Sequence, residues 1–531
     1  MTSQFDYVVI GGGSAGCVLA NRLSADGTTT VALLEAGGRD WNPWIHIPVG
    51  YFKTIHNPNT DWCYSTQAEP GLNGRMLKWP RGKVLGGSSS INGLLYVRGQ
   101  HEDYDRWAAL GCTGWSYQDV LPYFKRSEDQ ENGADDYHGT GGPLSVSNMT
   151  FSRPICDDFL NAVAENGTPI NHDINGASQE GVGYYQLTAK NGRRCSAAVA
   201  YLNSARRRPN LTIMTHAMVQ RIGFTDKRAD RVHITRKGVP IEIRANREIV
   251  LSAGAIGSPQ ILQLSGIGPA ELLKQHNIDV LHNARDVGAN LQDHLQIRTV
   301  YKTHKPVTLN DQLSNPIQKL SAGLEYMIRR RGPLSMAASQ VYAFCRTRLS
   351  NERPDIQYHF QPLSSDSPGE GLNKFSAFTA SVCQLRPESR GSILIQSNNA
   401  LDHPAIQANY LSTELDCQTA VESLRFTRKI MATKAMRDHV KNEHLPHPSA
   451  QSDEELLDQA RAIANTIYHP TSTCRMGTDP HAVVDSSLRV NGVQGLRVAD
   501  ASIMPEIVSG NTNAPTIMIG EKAADMILTD H

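Results

Sequence analysis

The chain opens on a short apolar run, Tyr7 to Ile10, broken at once by the glycine-dense turn Gly11-x-Gly13-x-x-Gly16. A helical spacing follows through Leu19 and Leu23, and a second apolar run, Val31 to Leu34, ends in Glu35. Strand, turn, helix and strand in so short a span predict a parallel βαβ unit. Two later segments repeat parts of it. Glu248-Ile-Val-Leu-Ser-Ala-Gly-Ala-Ile-Gly-Ser-Pro-Gln reads as a strand turning into an apolar helix, and Leu496-Arg-Val-Ala-Asp500 as a buried strand ending in a turn. Trp115 to Glu128 predicts a surface helix, with Ser116 as N-cap and Val120, Leu121 and Phe124 on one face. Asp355-Ile-Gln-Tyr-His-Phe and Gly391-Ser-Ile-Leu-Ile-Gln alternate instead, which predicts antiparallel strands. Parallel-sheet material thus returns at the start, middle and end of the chain.

The first turn has a chemistry. A sharp strand-to-helix reversal needs glycine, and a backbone without Cβ atoms can approach a pyrophosphate. The helix N-terminus then meets that anion with free N–H groups. Glu35, closing the second strand 19 residues past Gly16, can accept from ribose hydroxyls. The expected fold class is α/β: a Rossmann-type dinucleotide domain with a second α+β substrate domain built on an antiparallel sheet. The expected division is 1–155, 208–302 and 465–531 for the first domain, and 156–207 and 303–464 for the second.

Composition narrows the partners. Lys+Arg and Asp+Glu are both 52, so no global field favours nucleic acid. The runs Arg206-Arg207-Arg208 and Arg329-Arg330-Arg331 read as solvated ends that could touch a membrane surface or an acidic partner. Nine scattered cysteines with no CxxC point to free thiols in a reducing compartment. The first strand begins by residue 5, which leaves no room for a signal peptide, and no stretch is apolar enough to span a bilayer. The expected location is cytoplasmic, with peripheral contact to the inner membrane left open. His444-x-x-His447 lies between prolines without a third ligand nearby, so no metal is expected.

Four further segments resemble a known family. Pro80-Arg-Gly-Lys-Val-Leu-Gly-Gly-Ser-Ser-Ser-Ile-Asn-Gly-Leu-Leu-Tyr-Val-Arg-Gly99 is similar to the first signature of the glucose–methanol–choline oxidoreductases, and Gly254 to Gly268 to the second. Tyr468-His-Pro-Thr-Ser-Thr-Cys-Arg-Met-Gly477 and Gly510-Asn-Thr-Asn-Ala-Pro515 resemble its C-terminal active-site segments. Bacterial choline-dehydrogenase-like enzymes and aliphatic or polyol alcohol dehydrogenases are the nearest in pattern.

The resemblance implies FAD and a set of contacts. Gly11, Gly13, Ser14, Ala15 and Gly16 would take the pyrophosphate, and Glu35 and Ala36 the adenosine ribose. Arg81, the small-residue turn Gly86-Gly87-Ser88, Asn92 and Gly93-Leu94-Leu95 would border the isoalloxazine. Val219 would touch adenine through its backbone, and Asp500 and Ala501 would face the pyrophosphate and ribityl chain. Thr512 and Asn513 would face the flavin pyrimidine. It also implies His469 as catalytic base and Asn511 as its partner, both in contact with substrate.

Two departures refine the reading. In flavin-tethered relatives a histidine precedes the Asn92 position; here Ile91 stands there, so the FAD is expected to be non-covalent. Choline-specific relatives carry a substrate-domain glutamate, which is matched here to Gln340, a neutral amide that cannot balance a buried cation. The expected activity is FAD-dependent oxidation of an uncharged primary alcohol, aliphatic, polyol or ether, with electrons passed to a quinone or other carrier. The alternatives are an alcohol oxidase using O2, a choline dehydrogenase, and, from another class, an FAD-containing enzyme like the hydroxynitrile lyases.

Overall fold

Two seven-stranded sheets organise the computed structural model, which describes residues 3–366 and 371–530. In the first, Ser3–Ile10 runs parallel between Val31–Leu34 and Val239–Leu251. Leu211–Met214 extends the parallel edge. The early part of Val239–Leu251 pairs antiparallel with Arg228–Arg236, and its last three residues pair parallel with Leu496–Val498. Tyr7–Ile10 and Val31–Leu34 are buried on both faces, as continuous apolar strands must be. Helices Ser14–Leu23 and Asn513–Thr529 pack together beside this sheet.

The second sheet is antiparallel, in the order Val440–Leu445, Leu295–Thr303, Ala377–Gln384, Ile356–Gln361, Val341–Cys345 and Gly181–Tyr184. Its apolar face packs on helices Pro154–Glu165, Glu414–Ala432 and Asp453–Ile463. The other face carries polar side chains and roofs a cleft between the sheets.

The predicted helix over 115–128 is present as Tyr117–Ser127. Ser116 caps it and exchanges bonds with Asp119, while Val120 and Phe124 are buried. The division of the chain between the sheets differs from the expected boundaries. Leu295–Thr303, expected in the first domain, is a strand of the antiparallel sheet. Residues 195–205, expected in the second, pack through Ala198, Tyr201 and Leu202 into the core of the first. Ser392–Leu394 is antiparallel as expected, but it forms a separate ribbon with Ala405–Gln407 and lies against helix Gly254–Leu264. Chain boundaries set from motif positions miss these crossings because a strand or helix joins whichever sheet its apolar face meets.

Helix Pro316–Arg329 is built differently from the rest. Ala322 and Tyr326 face the body, while Ile317, Leu320, Leu324, Met327 and Ile328 are 49–78% exposed. At 100° per residue these five share one stripe, pointing directly away from the fold. No helix among the described residues is long and apolar enough to cross a membrane.

Candidate active site

The glycine turn brings backbone close to backbone on one side and leaves open space on the other. Gly11 has φ +99°, and a Cβ there would lie 2.4 Å from the Ser252 carbonyl oxygen. A Cβ on Gly16 would lie 1.8 Å from the Gly11 carbonyl oxygen, so Gly16 seats helix on strand and does not line the cleft. Gly13 opens on the cleft, where a Cβ would meet nothing within 4 Å. Helix Ser14–Leu23 begins there without a side-chain cap, which leaves its first N–H groups for an anion. Gly87 stands against Gly13 and, with Ser88, borders the same space. Gly86 is one layer back, donating its N–H to the Gly12 carbonyl at 2.7 Å. Gly16 and Gly86 therefore shape the cradle from behind, which corrects their expected place in direct contact.

At one end of the cleft, Glu35 accepts from the N–H groups of Gly12 (2.9 Å) and Gly37 (2.7 Å). Burial pushes its carboxyl up to about 7. One lone pair on each oxygen is left for a ribose. Ala36 and Val219 border this end. Midway, Asp500 accepts from Gly254 N–H (2.9 Å), Ser258 Oγ (2.6 Å) and Ser502 N–H (2.8 Å), with Ala501 beside it. Ser14 Oγ donates to Asn513 Oδ1 (2.8 Å), joining the starts of two helices at the cleft wall. Asn92 receives Arg194 Nη1 on Oδ1 (2.6 Å) and Arg194 Nη2 on its carbonyl (2.7 Å), an anchor that sequence reading missed. Gly93, Leu94 and Leu95 continue along the wall.

At the far end His469 sits in a directed chain of hydrogen bonds. His294 Nε2–H donates to the Leu385 carbonyl at 2.9 Å, which leaves His294 Nδ1 as an acceptor. His469 Nδ1–H donates to that atom at 3.0 Å, so His469 Nε2 carries the ring's one acceptor lone pair. Asn511 Nδ2 approaches Nε2 at 3.2 Å, and Asn511 Oδ1 accepts from Gln357 Nε2 at 3.2 Å, which fixes the amide's orientation. Backbone ties hold the base: His469 N–H donates to Asp293 Oδ1 (2.6 Å), and the preceding Tyr468 has φ +70°. Arg81 Nη2 donates to the Tyr468 carbonyl at 2.5 Å. Burial, His294, His359 and Arg81 together hold the His469 imidazole well below its ordinary 6.5, so it is neutral.

A cleft that begins at the glycine turn and Glu35 thus ends at a neutral, oriented imidazole. Family comparison agrees with this architecture. Models of the GMC oxidoreductase family match residues 5–296 and 387–520. The chain belongs to the GMC oxidoreductases. It is 42% identical to the alcohol dehydrogenase (acceptor) of Pseudomonas putida, over 99% of this chain and 96% of that one. It is 43% identical to the mitochondrial choline dehydrogenase of Homo sapiens, over 99% and 90%. Among solved structures, pyridoxine 4-oxidase from Mesorbium loti superposes with a TM-score of 0.90 at 32% identity, covering 99% of this chain and all of the other. GMC oxidoreductases bind FAD, and the open Gly13, the uncapped helix start and the free lone pairs of Glu35 fit that dinucleotide.

One expected substrate residue is misplaced. Gln340 is fully buried and off the cleft; its Oε1 accepts from Cys156 Sγ (3.0 Å), and its Nε2 faces Met336 sulfur. Side chains alternate along a strand, and here Ser339 takes the cleft side. The glutamines that line the cleft from the antiparallel sheet are Gln296 and Gln361. Sequence reading also missed His294, Gln357, His359 and Arg298. A signal was present: His294-Leu-Gln-Ile-Arg and Ile356-Gln-Tyr-His-Phe-Gln both alternate polar with apolar residues. Alternation alone suggests a polar side turned to solvent, whereas here that side faces the site.

Proposed function

We propose that this GMC oxidoreductase oxidises a primary alcohol to the aldehyde, with His469 as the base and Asn511 as the donor that holds the reacting oxygen. The directed chain from Leu385 through His294 to His469 Nε2 carries this reading, because it leaves one lone pair at the cleft end with an N–H donor beside it. An alcohol oxygen that displaces the direct Asn511 Nδ2–His469 Nε2 contact would give its proton to Nε2 and accept from Asn511 Nδ2. Asn511 then faces the charge that grows as the proton leaves. FAD, when bound, supplies the acceptor for the hydride lost from carbon. Gly13, Ser14 and Ala15 would hold its pyrophosphate, Glu35 its ribose, and Asn92 and Gly93 its ring edge. Ile91, which borders the cleft where a tether would start, supports a non-covalent cofactor.

Gln340, off the cleft, has no bearing on choline. Among the described residues, the carboxylates that line the cleft are Glu35 at the dinucleotide end and Asp500 midway, while the substrate end holds the cation Arg298. A quaternary ammonium there would be buried without a counter-charge. Aldehyde formation from a panel of non-cationic primary alcohols and choline tests the assignment. Turnover of choline far above all others would overturn it. We also read the apolar stripe of Pro316–Arg329 as a peripheral membrane contact.

A further inference from the structure

The roof of the substrate end contains an unanswered positive charge. Arg298 is 6% exposed and borders the cleft. It makes no hydrogen bond or ion pair among the described residues, and its buried Nε has no partner. The nearby charge that acts on it, Asp366, is turned to His444 (3.6 Å) and Asn373 (2.8 Å). The other cation of the cleft, the half-buried Arg81, is already engaged by the carbonyls of Pro80 (2.7 Å) and Tyr468 (2.5 Å). A guanidinium keeps its proton in any protein, so Arg298 stands as a desolvated charge whose counter-ion must come from outside the chain.

Its neighbours are unanswered too. In the antiparallel sheet Arg298 pairs with Ser381, and Ser381 pairs with His359 on the next strand. Residues opposite one another across a sheet share a face, so the three form one row. Ser381 Oγ and both ring nitrogens of His359 are buried without a well-formed hydrogen bond, the His359 ring standing next to the Asn511 amide. The adjacent row, Gln296–Cys383–Gln357, ends on the amide that orients Asn511. Three orphaned polar groups in one row, two of them on the cleft wall, form a built site one step out from the reacting end.

We propose that the substrate is a primary alcohol that also carries a carboxylate, with the carboxylate seated on Arg298 and the His359 N–H while the hydroxyl reaches His469. A single free guanidinium matches a monoanion, and its planar fork fits a carboxylate. Rows two residues apart along a strand lie about 7 Å apart, so a few carbons separate hydroxyl and carboxylate. The carboxylate is unchanged by the reaction: the carbinol carbon loses a hydride to FAD, its oxygen loses a proton to His469, and an aldehyde acid leaves.

This assignment rests on the alcohol-oxidising reading, and the test separates the two. The FAD-loaded enzyme is assayed with ω-hydroxycarboxylates from glycolate to 6-hydroxyhexanoate, each against the diol of equal length. The wild type should favour the carboxylate by at least about 10-fold in kcat/KM, with an optimum at intermediate length. In Arg298→Gln that preference should be lost, a fall of about 10-fold or more, mostly through KM, and Arg298→Lys should restore part of it. In parallel, pentanoate, which has no hydroxyl to oxidise, should raise the melting temperature and perturb the flavin spectrum of the wild type but not of Arg298→Gln. Diols equal to hydroxy acids, with no response to pentanoate, would overturn the proposal; so would an equal response to inorganic phosphate. Pentanoate binding that depends on Arg298, in an enzyme no alcohol can reduce, would keep the anion seat and remove the alcohol chemistry.

Discussion

At the residue scale, His469 depends on a neighbour that fixes its tautomer. His469→Ala should lower kcat by about 10²- to 10⁴-fold, the usual worth of a positioned base, with bound flavin retained. His294→Leu removes the acceptor for His469 Nδ1–H and frees the ring to turn. It should cost about 10-fold or more in kcat, and His294→Asn, whose carbonyl can accept, should recover part of the loss. The pH profile follows from the same contacts. A base is active when neutral, and His469 is held well below 6.5, so kcat/KM should be level above that pH and fall only well below it. An inflection near 6.5 or higher that vanishes in His469→Ala would contradict this. Gln340→Ala should leave the order of substrates unchanged and cost about 1–3 kcal/mol of stability, because Gln340 is a buried amide whose partners lie off the cleft.

At the element scale, the glycine turn and its helix were legible because a sharp reversal requires glycine at Gly11, and Glu35 because an acid closing the second strand is placed to accept from a ribose. The His469 and Asn511 segments were legible through family pattern, and the structure brings them within 3.2 Å. The strand Ile356–Gln361 shows where such reading ends. Its alternation was visible, but periodicity says only that two faces differ, and not which one meets solvent. Here Tyr358 and Phe360 enter the core, while Gln357, His359 and Gln361 turn toward the site. Gln340 was misplaced for the same reason: a shift of one residue moves a side chain to the other face of a strand. Gly87 offers a test at this scale. It has φ +52°, and a Cβ there would lie 2.7 Å from Gly13 Cα, so Gly87→Ala should push the two loops apart. Equilibrium dialysis should show FAD affinity reduced by about 10-fold or more, with far-UV circular dichroism unchanged.

At the scale of the whole molecule, equal numbers of basic and acidic residues hide a local asymmetry. The stripe of Ile317, Leu320, Leu324, Met327 and Ile328 ends at the exposed Arg329, Arg330 and Arg331. The one acid on that helix, Glu325, has its carboxylate beside Gly332. An apolar stripe beside a cationic cluster matches an anionic bilayer, and a second copy of the helix would bring no compensating acids. The protein should therefore co-sediment with phosphatidylglycerol-containing vesicles more than with pure phosphatidylcholine. Ile317→Ser with Ile328→Ser should abolish most of that binding, while activity on soluble alcohols is kept. Equal sedimentation with both lipids, or none with either, would contradict it. The stripe was not visible as a surface from sequence, because an apolar spacing looks the same whether it points inward or outward.

The two sheets meet over one cleft whose dinucleotide end is glycine and whose reacting end is imidazole. The most direct test of that account is the oxygen-free visible spectrum of the FAD-loaded protein, before and after adding ω-hydroxycarboxylates and neutral primary alcohols, for the wild type and His469→Ala. The account predicts a flavin band bleached in the wild type and bleached at least about 100-fold more slowly in the variant. A flavin that none of these alcohols reduces, or one reduced equally fast without His469, would contradict it.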